Sequence, residues 1–157
     1  IGAYGSCVAK RSDVRSKYGF SDNDIVLLCL GGIRPYKKID AIIRAFESVS
    51  EPRLRLWVAG KGNTDYVDTL RVYAGGDARV RIENGFVADE LLPEYLACAD
   101  YSVFFYDDSE LTSGGIILSL SYGVPVITRR LAGAEIVGDV PNTKDPEPVS
   151  SETAVAN

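Results

Sequence analysis

The chain has 157 residues, 46% hydrophobic and 25% charged, with a formal charge of −5. That length and balance suit one globular domain around a buried core and exclude an intrinsically disordered segment. The acidic balance argues against a nucleic-acid partner, no apolar run reaches the roughly 18 residues of a membrane span, and no signal-peptide pattern is present.

In chain order, residues 1–24 are polar and poorly periodic, apart from a short helix expected near Asp13 to Tyr18. They read as a lead-in or an inter-domain linker remnant. Ile25 to Leu30 is an unbroken apolar run stopped by Gly31-Gly32, the pattern of a strand buried on both faces. Ile39, Ile42, Ile43, Phe46 and Val49 then recur at helical spacing, closed by Pro52. A second strand covers Leu54 to Ala59. Thr64 is expected to cap a helix carrying Val67, Leu70 and Ala74, with Asp65 and Asp68 in its first turn. A third strand follows at Arg79 to Ile82. Asp89 or Glu90 opens a helix with Leu92, Tyr95, Leu96 and Ala99 on one face, and Tyr101 to Tyr106 is a fourth strand. Ser113 caps a helix running to Tyr122, Val124 to Thr128 makes a fifth strand, and a short helix is expected over Ala132 to Val137. Residues 139–157 form an acidic, Pro-rich tail with little to bury.

Strands alternating with helices in this way require right-handed crossovers and a parallel sheet. The fold expected for residues 25–138 is therefore a doubly wound, Rossmann-like α/β domain. Cys7, Cys29 and Cys98 are odd in number and form no CxxC pair. Cys29 lies in an apolar run and Cys98 in a helix, so both read as buried thiols in a reducing, cytoplasmic setting. Met and His are both absent. The commonest general base is thus missing, and the chain reads as a fragment or a processed product.

In such sheets ligands bind beyond the carboxyl ends of the strands, near the switch in strand order. After the first strand, Gly31-Gly32-Ile33-Arg34-Pro35-Tyr36-Lys37-Lys38 gathers three cations at the start of a helix. The macrodipole there disfavours each cation by roughly a few tenths of a kcal/mol, which makes sense around a bound anion. The plain alternative is a surface helix with exposed lysines and Arg34 paired to an acid.

Gly60-Lys61-Gly62, after the second strand, is a tight turn whose single positive side chain says little. It lacks the third glycine of G-x-G-x-x-G, no Gly-x-Gly follows the first strand, and the P-loop pattern is missing. A nicotinamide-binding site is therefore poorly supported. After the fourth strand, Thr112, Ser113, Gly114 and Gly115 precede an apolar helix whose free N–H groups would make a second anion cradle facing the first. Asp107, Asp108 and Glu110 are a weak metal set without His, so no metal is assigned. Glu110 accepts hydrogen bonds from sugar hydroxyls in one reading and belongs to a solvated acidic loop in the other.

Several motifs stand in one order: the Gly31 to Lys38 loop, Val58-Ala59-Gly60-Lys61-Gly62, and Asn84-Gly85-Phe86-Val87 with Asp89-Glu90-Leu91. Ala99-Asp100, Thr112-Ser113-Gly114 and Gly123-Val124-Pro125-Val126-Ile127 complete the series. Together they resemble the C-terminal, nucleotide-sugar-binding half of group 1 (GT4-type) glycosyltransferases of the GT-B fold, over about residues 25 to 137. The resemblance implies retaining transfer of a sugar from a nucleoside-diphosphate donor, of UDP or GDP type, to an acceptor, without cofactor and usually without a bound metal. Positive side chains and helix-end amides would stabilise the departing diphosphate instead. Arg34 and Lys37 match the diphosphate-binding pair and are implied as catalytic. Gly32 and Lys38 lie beside them in the substrate site, Lys38 at the position where the family usually has glycine. Thr112, Ser113 and Gly114 match the segment that touches the phosphates, Phe86 and Val87 the stretch near the base, and Glu110 the first of two glutamates eight positions apart.

Two departures qualify the match. The second glutamate is replaced by Leu118, which cannot hold a ribose hydroxyl. An N-terminal acceptor domain is also missing, since only residues 1–24 precede the first strand. The expectation is a half-enzyme that binds donor but does not transfer sugar unaided, with any peripheral membrane association made through the missing part. A binding module that has lost catalysis, and an epimerase-like GT-B domain, are the competing readings.

Overall fold

The computed structural model describes residues 9–106 and 114–128. Five strands, β1 (Ile25–Leu30), β2 (Leu54–Gly60), β3 (Val80–Asn84), β4 (Tyr101–Phe104) and β5 (Val126–Thr128), form one sheet in the order β3-β2-β1-β4-β5. Every pairing is parallel: Cys29 lies opposite Val58, Leu28 opposite Ser102, Val58 opposite Ile82 and Val103 opposite Ile127. From β1 the chain builds outward through β2 and β3, then returns to β1's other side for β4 and β5. The switch in strand order therefore lies between β1 and β4.

Parallel pairing needs a crossover for each new strand, and the crossovers cover both faces. On one face α2 (Ile39–Glu47) and α3 (Thr64–Tyr73) lay Ile39, Ile43, Phe46, Val67 and Leu70 over Cys29, Leu56, Val58 and Val103. On the other, α1 (Arg11–Lys17) and α4 (Leu92–Cys98) bring Val14, Tyr95, Leu96 and Cys98 onto Val26, Leu28, Trp57 and Ala59. Helix α5 (Gly114–Ser121) joins this second core through Leu118. Alternate residues of β1 and β2 thus feed opposite cores, which is why β1 is apolar throughout and β2 is apolar from Leu56 to Ala59.

Several boundaries differ from expectation. Asn63, not Thr64, caps α3: its Oδ1 accepts from the N–H groups of Asp65 and Tyr66 at 2.9 and 3.3 Å. Asn63 keeps an extended backbone, which sets the cap one residue earlier and leaves Thr64 inside the first turn. Helix α2 stops at Glu47, where Ser48 Oγ donates to the Ala45 carbonyl, so Val49 falls outside the stripe and is exposed. β4 pairs only as far as Phe104, and β5 begins at Val126. The helix expected over Ala132 to Val137, the Ser113 cap, the tail from residue 139 and Cys7 lie outside the described residues.

Residues 10–24 pack on the domain. Phe20 and Tyr18 close on Trp57 with ring centroids 5.1 and 5.3 Å away, and Tyr95 stacks on the same indole at 4.4 Å. Arg15 is only 3% exposed. Its guanidinium donates to the carbonyls of Cys98, Ser21, Asp22 and Asp24 and to the Asp100 carboxylate at 2.6 Å. Asp100 also accepts from Arg11 and from the Val26 N–H, each at 2.7 Å. Burial alone would raise the Asp100 pKa, but these donors hold it below the usual carboxylate value. Helix α1, the end of α4 and the start of β1 are fastened together at the amino edge of the sheet by this one cluster.

Candidate functional site

At the opposite, carboxyl edge the loops after β1, β2 and β3 interlock through backbone. Ile33 forms a parallel bridge with Gly62, its N–H donating to the Lys61 carbonyl at 3.0 Å. A Cβ on Gly60 would lie 1.8 Å from the Gly31 carbonyl oxygen, and one on Gly62 would lie 2.8 Å from the Ile33 carbonyl. Only glycine permits this approach, so the spacing of Gly60 and Gly62 has a steric cause rather than a dinucleotide-binding one. Asn84 Oδ1 accepts from the Gly62 N–H at 2.9 Å, and the Gly85 N–H donates to the Gly60 carbonyl at 3.0 Å.

On this plate rests a single 3-10 turn, Pro35–Lys37, followed by Lys38 in the left-handed region at φ 52°, ψ 39°. Lys38 is the only non-glycine residue at positive φ among the described residues. The glycine expected here in the family therefore has a backbone reason. Lys37 is half-buried, and its ammonium lies 5.9 Å from the Tyr106 ring centroid. It also runs over Gly31, where a Cβ would come within 3.2 Å of Nζ. Burial lowers the Lys37 pKa; Cys29 acts to raise it, and the Arg34 charge lowers it further.

Among the described residues neither Arg34 nor Lys37 has a carboxylate within ion-pair distance. Arg34 paired to an acid was the plain alternative, and no described acid makes that pair; Asp107, Asp108 and Glu110 lie outside the described residues. Lys37, Gly31 and Cys29 line a recess with Val103, Phe104 and Tyr106, across the β1–β4 switch. Burial pushes the Cys29 thiol up to about 12, so it is neutral and serves as wall.

The remaining expected residues are distributed unevenly. Gly32 lies next to Arg34, whose Nε would sit 3.7 Å from a Cβ there. Phe86, in the loop after β3, is 80% exposed, whereas Val87 packs against the second core. Gly114 is the first residue of α5, and Glu110, Thr112 and Ser113 lie outside the described residues. Leu118 packs into the second core, and Ser119 is committed to a buried hydrogen bond with Ser102 Oγ at 2.9 Å. The sequence reading missed Tyr106 and Asn84 as organisers of this edge. Their one visible signal was position, at or just past the carboxyl ends of β4 and β3. No group of His, Cys, Asp and Glu suited to a metal occurs among the described residues, and no helix there is long and apolar enough to cross a membrane.

The chain is similar in sequence and in fold to known proteins. A GDP-mannose:glycolipid 4-beta-D-mannosyltransferase of Xanthomonas campestris pv. campestris is 30% identical over 102 residues, 64% of this chain and 29% of its own. The chain thus spans less than a third of that relative's length. Anabaena HepE, solved in complex with UDP and glucose, superposes with a TM-score of 0.68 at 25% identity, covering 79% of this chain and 34% of its own. The C-terminal domain of a group 1 family glycosyl transferase (LpcC) from Francisella tularensis matches with a TM-score of 0.63 at 22% identity, over 85% of this chain and 72% of that one. A family model described as "Glycosyl transferases group 1" covers residues 24–151, the whole sheet and its basic loop, and the chain belongs to that family.

Proposed function

We propose that the chain is the donor-binding part of a sugar-transferring enzyme and takes a nucleoside-diphosphate sugar at the carboxyl edge of its sheet. The observation that carries this reading is a half-buried Lys37 beside Arg34, neither paired with a carboxylate among the described residues, at the mouth of the strand-order switch. Two cations held this close repel each other, and a diphosphate between them removes that cost. HepE, solved in complex with UDP, with UDP and glucose, and with UDP-glucose, supports the choice of ligand.

In the reaction, the bond from the sugar C1 to the β-phosphate oxygen breaks, the acceptor hydroxyl oxygen bonds to C1, and the hydroxyl proton is taken up by the leaving diphosphate. Negative charge builds on the leaving diphosphate, where the exposed Arg34 and the partly desolvated Lys37 stabilise it. Lys38, Gly32 and Gly114 belong to the same substrate site in this reading, and Phe86 stands beside the base. Glu110, Thr112 and Ser113 are assigned by resemblance alone. The acceptor is held by a further domain, so the chain by itself binds donor without transferring it. Transfer is proposed to retain the anomeric configuration. Because the Xanthomonas relative is named for a β-linkage, the anomer of the product is the measurement that decides this point.

Leu118 supports a second reading, a nucleotide-binding module without catalysis, because its side chain is used in the core instead of at a ribose. Calorimetry with UDP- and GDP-sugars, and with NAD as control, separates the two from other dinucleotide binders. Binding that is lost when Arg34 and Lys37 become Ala supports the donor site. No binding at millimolar concentrations overturns it, and a preference for NAD replaces it. Fusion to a matching N-terminal domain restores sugar transfer in the first reading; a folded, donor-binding but inactive fusion favours the second.

A further inference from the structure

Among the described residues, Lys37 meets an aromatic ring and not an acid. Its ammonium sits over the Tyr106 ring at 5.9 Å, and Tyr36, its neighbour on the same 3-10 turn, meets that ring with centroids 5.9 Å apart. Phe104 backs the ring from β4 at 5.8 Å, and Tyr106 is itself buried. The basic turn after β1 is therefore clasped to the end of β4 by aromatic contacts, across the gap where the strand order switches.

We infer that Tyr106 is a positioning residue for the donor site: its π face orients the Lys37 ammonium while leaving the full positive charge available to a diphosphate. A carboxylate in the same place would orient Lys37 equally well but would neutralise it and repel the phosphates. An aromatic face attracts a cation through its quadrupole and carries no net charge, so it gives orientation without cancellation. This inference rests on the donor-binding reading above and assigns to that site a residue beyond its phosphate contacts.

The test uses the 157-residue chain, UDP and GDP as probes, and the variants Tyr106→Phe, Tyr106→Leu and Lys37→Gln. Tyr106→Leu is expected to weaken nucleotide binding about fivefold, and Tyr106→Phe to restore it to within about twofold, since the ring remains. In the Lys37→Gln background the Tyr106→Leu change should have no further effect on affinity, because the group it positions is gone. A second readout needs no ligand. The Lys37 ε-methylene NMR signal, assigned with Lys37→Gln, should carry a ring-current shift in the wild type and Tyr106→Phe and lose it in Tyr106→Leu. Equal affinities for wild type and a folded Tyr106→Leu, or an additive loss in the Lys37→Gln background, overturn the positioning role alone. Wild-type chain that binds neither nucleotide overturns the donor-binding reading and this inference with it. If Tyr106→Leu fails to fold, the ring-current shift in the wild type and Tyr106→Phe still decides, and its absence overturns the inference.

Discussion

The two edges of the sheet treat positive charge in opposite ways. At the amino edge Arg11 and Arg15 converge on Asp100, and Arg15 satisfies its guanidinium on four carbonyls besides that carboxylate. At the carboxyl edge the Arg34 charge lies close enough to Lys37 to lower its pKa, and among the described residues no acid pairs with either. The first arrangement is saturated, so a further anion would gain nothing there. The second is incomplete, and its incompleteness distinguishes a binding site from a strut. Counting cations would rank both edges alike; asking what each cation is bonded to separates them.

That contrast breaks if the paired arginine proves dispensable. Arg15→Met should destabilise the fold by about 3–5 kcal/mol, because it strips a buried charge pair and leaves carbonyls unmet. Urea unfolding measures this, and nucleotide affinity per folded molecule should not change. Arg34→Ala and Lys37→Ala should do the reverse. Each is expected to cost about 1.5–3 kcal/mol of nucleotide binding, roughly ten- to a hundredfold in Kd. Their unfolding free energies from urea titration should stay within about 0.5 kcal/mol of wild type or rise slightly, since an unfavourable pair has been relieved.

The pH dependence sharpens the comparison further. A bound diphosphate favours the ammonium form of Lys37, so its pKa is higher in the complex than in the free protein, where burial depresses it. Binding should therefore be strongest below the free-protein pKa. It should weaken as pH rises through that value, with one proton taken up per nucleotide bound in that window. Calorimetry in buffers of different ionisation enthalpy reads that proton directly, and Lys37→Arg should flatten the profile across the same range. The smallest effect concerns backbone alone. Lys38→Gly relieves a left-handed residue and should raise stability by about 0.5 kcal/mol, the conformational gain being partly offset by the greater freedom of glycine in the unfolded chain.

Much of the sheet was legible because burial on both faces leaves a simple trace. Ile25 to Leu30 and Leu54 to Ala59 admit few readings other than strands of a parallel sheet, and the strand-to-helix loops then locate the ligand edge. Arg34 and Lys37 were legible as cations out of place at a helix start. Contacts that join distant residues through polar atoms were not. Nothing in Arg15's neighbourhood announces that it will be buried against residues 98 and 100, since a buried polar side chain has no periodicity to follow. The same holds for Asn84, which orders a turn 22 residues earlier, and for Tyr106, which reads as one more apolar residue at the end of a strand. Asn63 shows the local version of this limit. Two adjacent residues could each cap the helix, and backbone geometry settles the choice.

The contact between Gly60 and the Gly31 carbonyl has a consequence for how variants of this protein should be interpreted. Neither turn can relax without displacing the other, so the basic loop inherits its stiffness from a neighbour that carries none of the proposed phosphate contacts. Substitutions at Gly60 or Gly62 would surface in a screen as lost nucleotide binding and be mistaken for ligand contacts. They would instead report a hinge that had been welded shut and has come open.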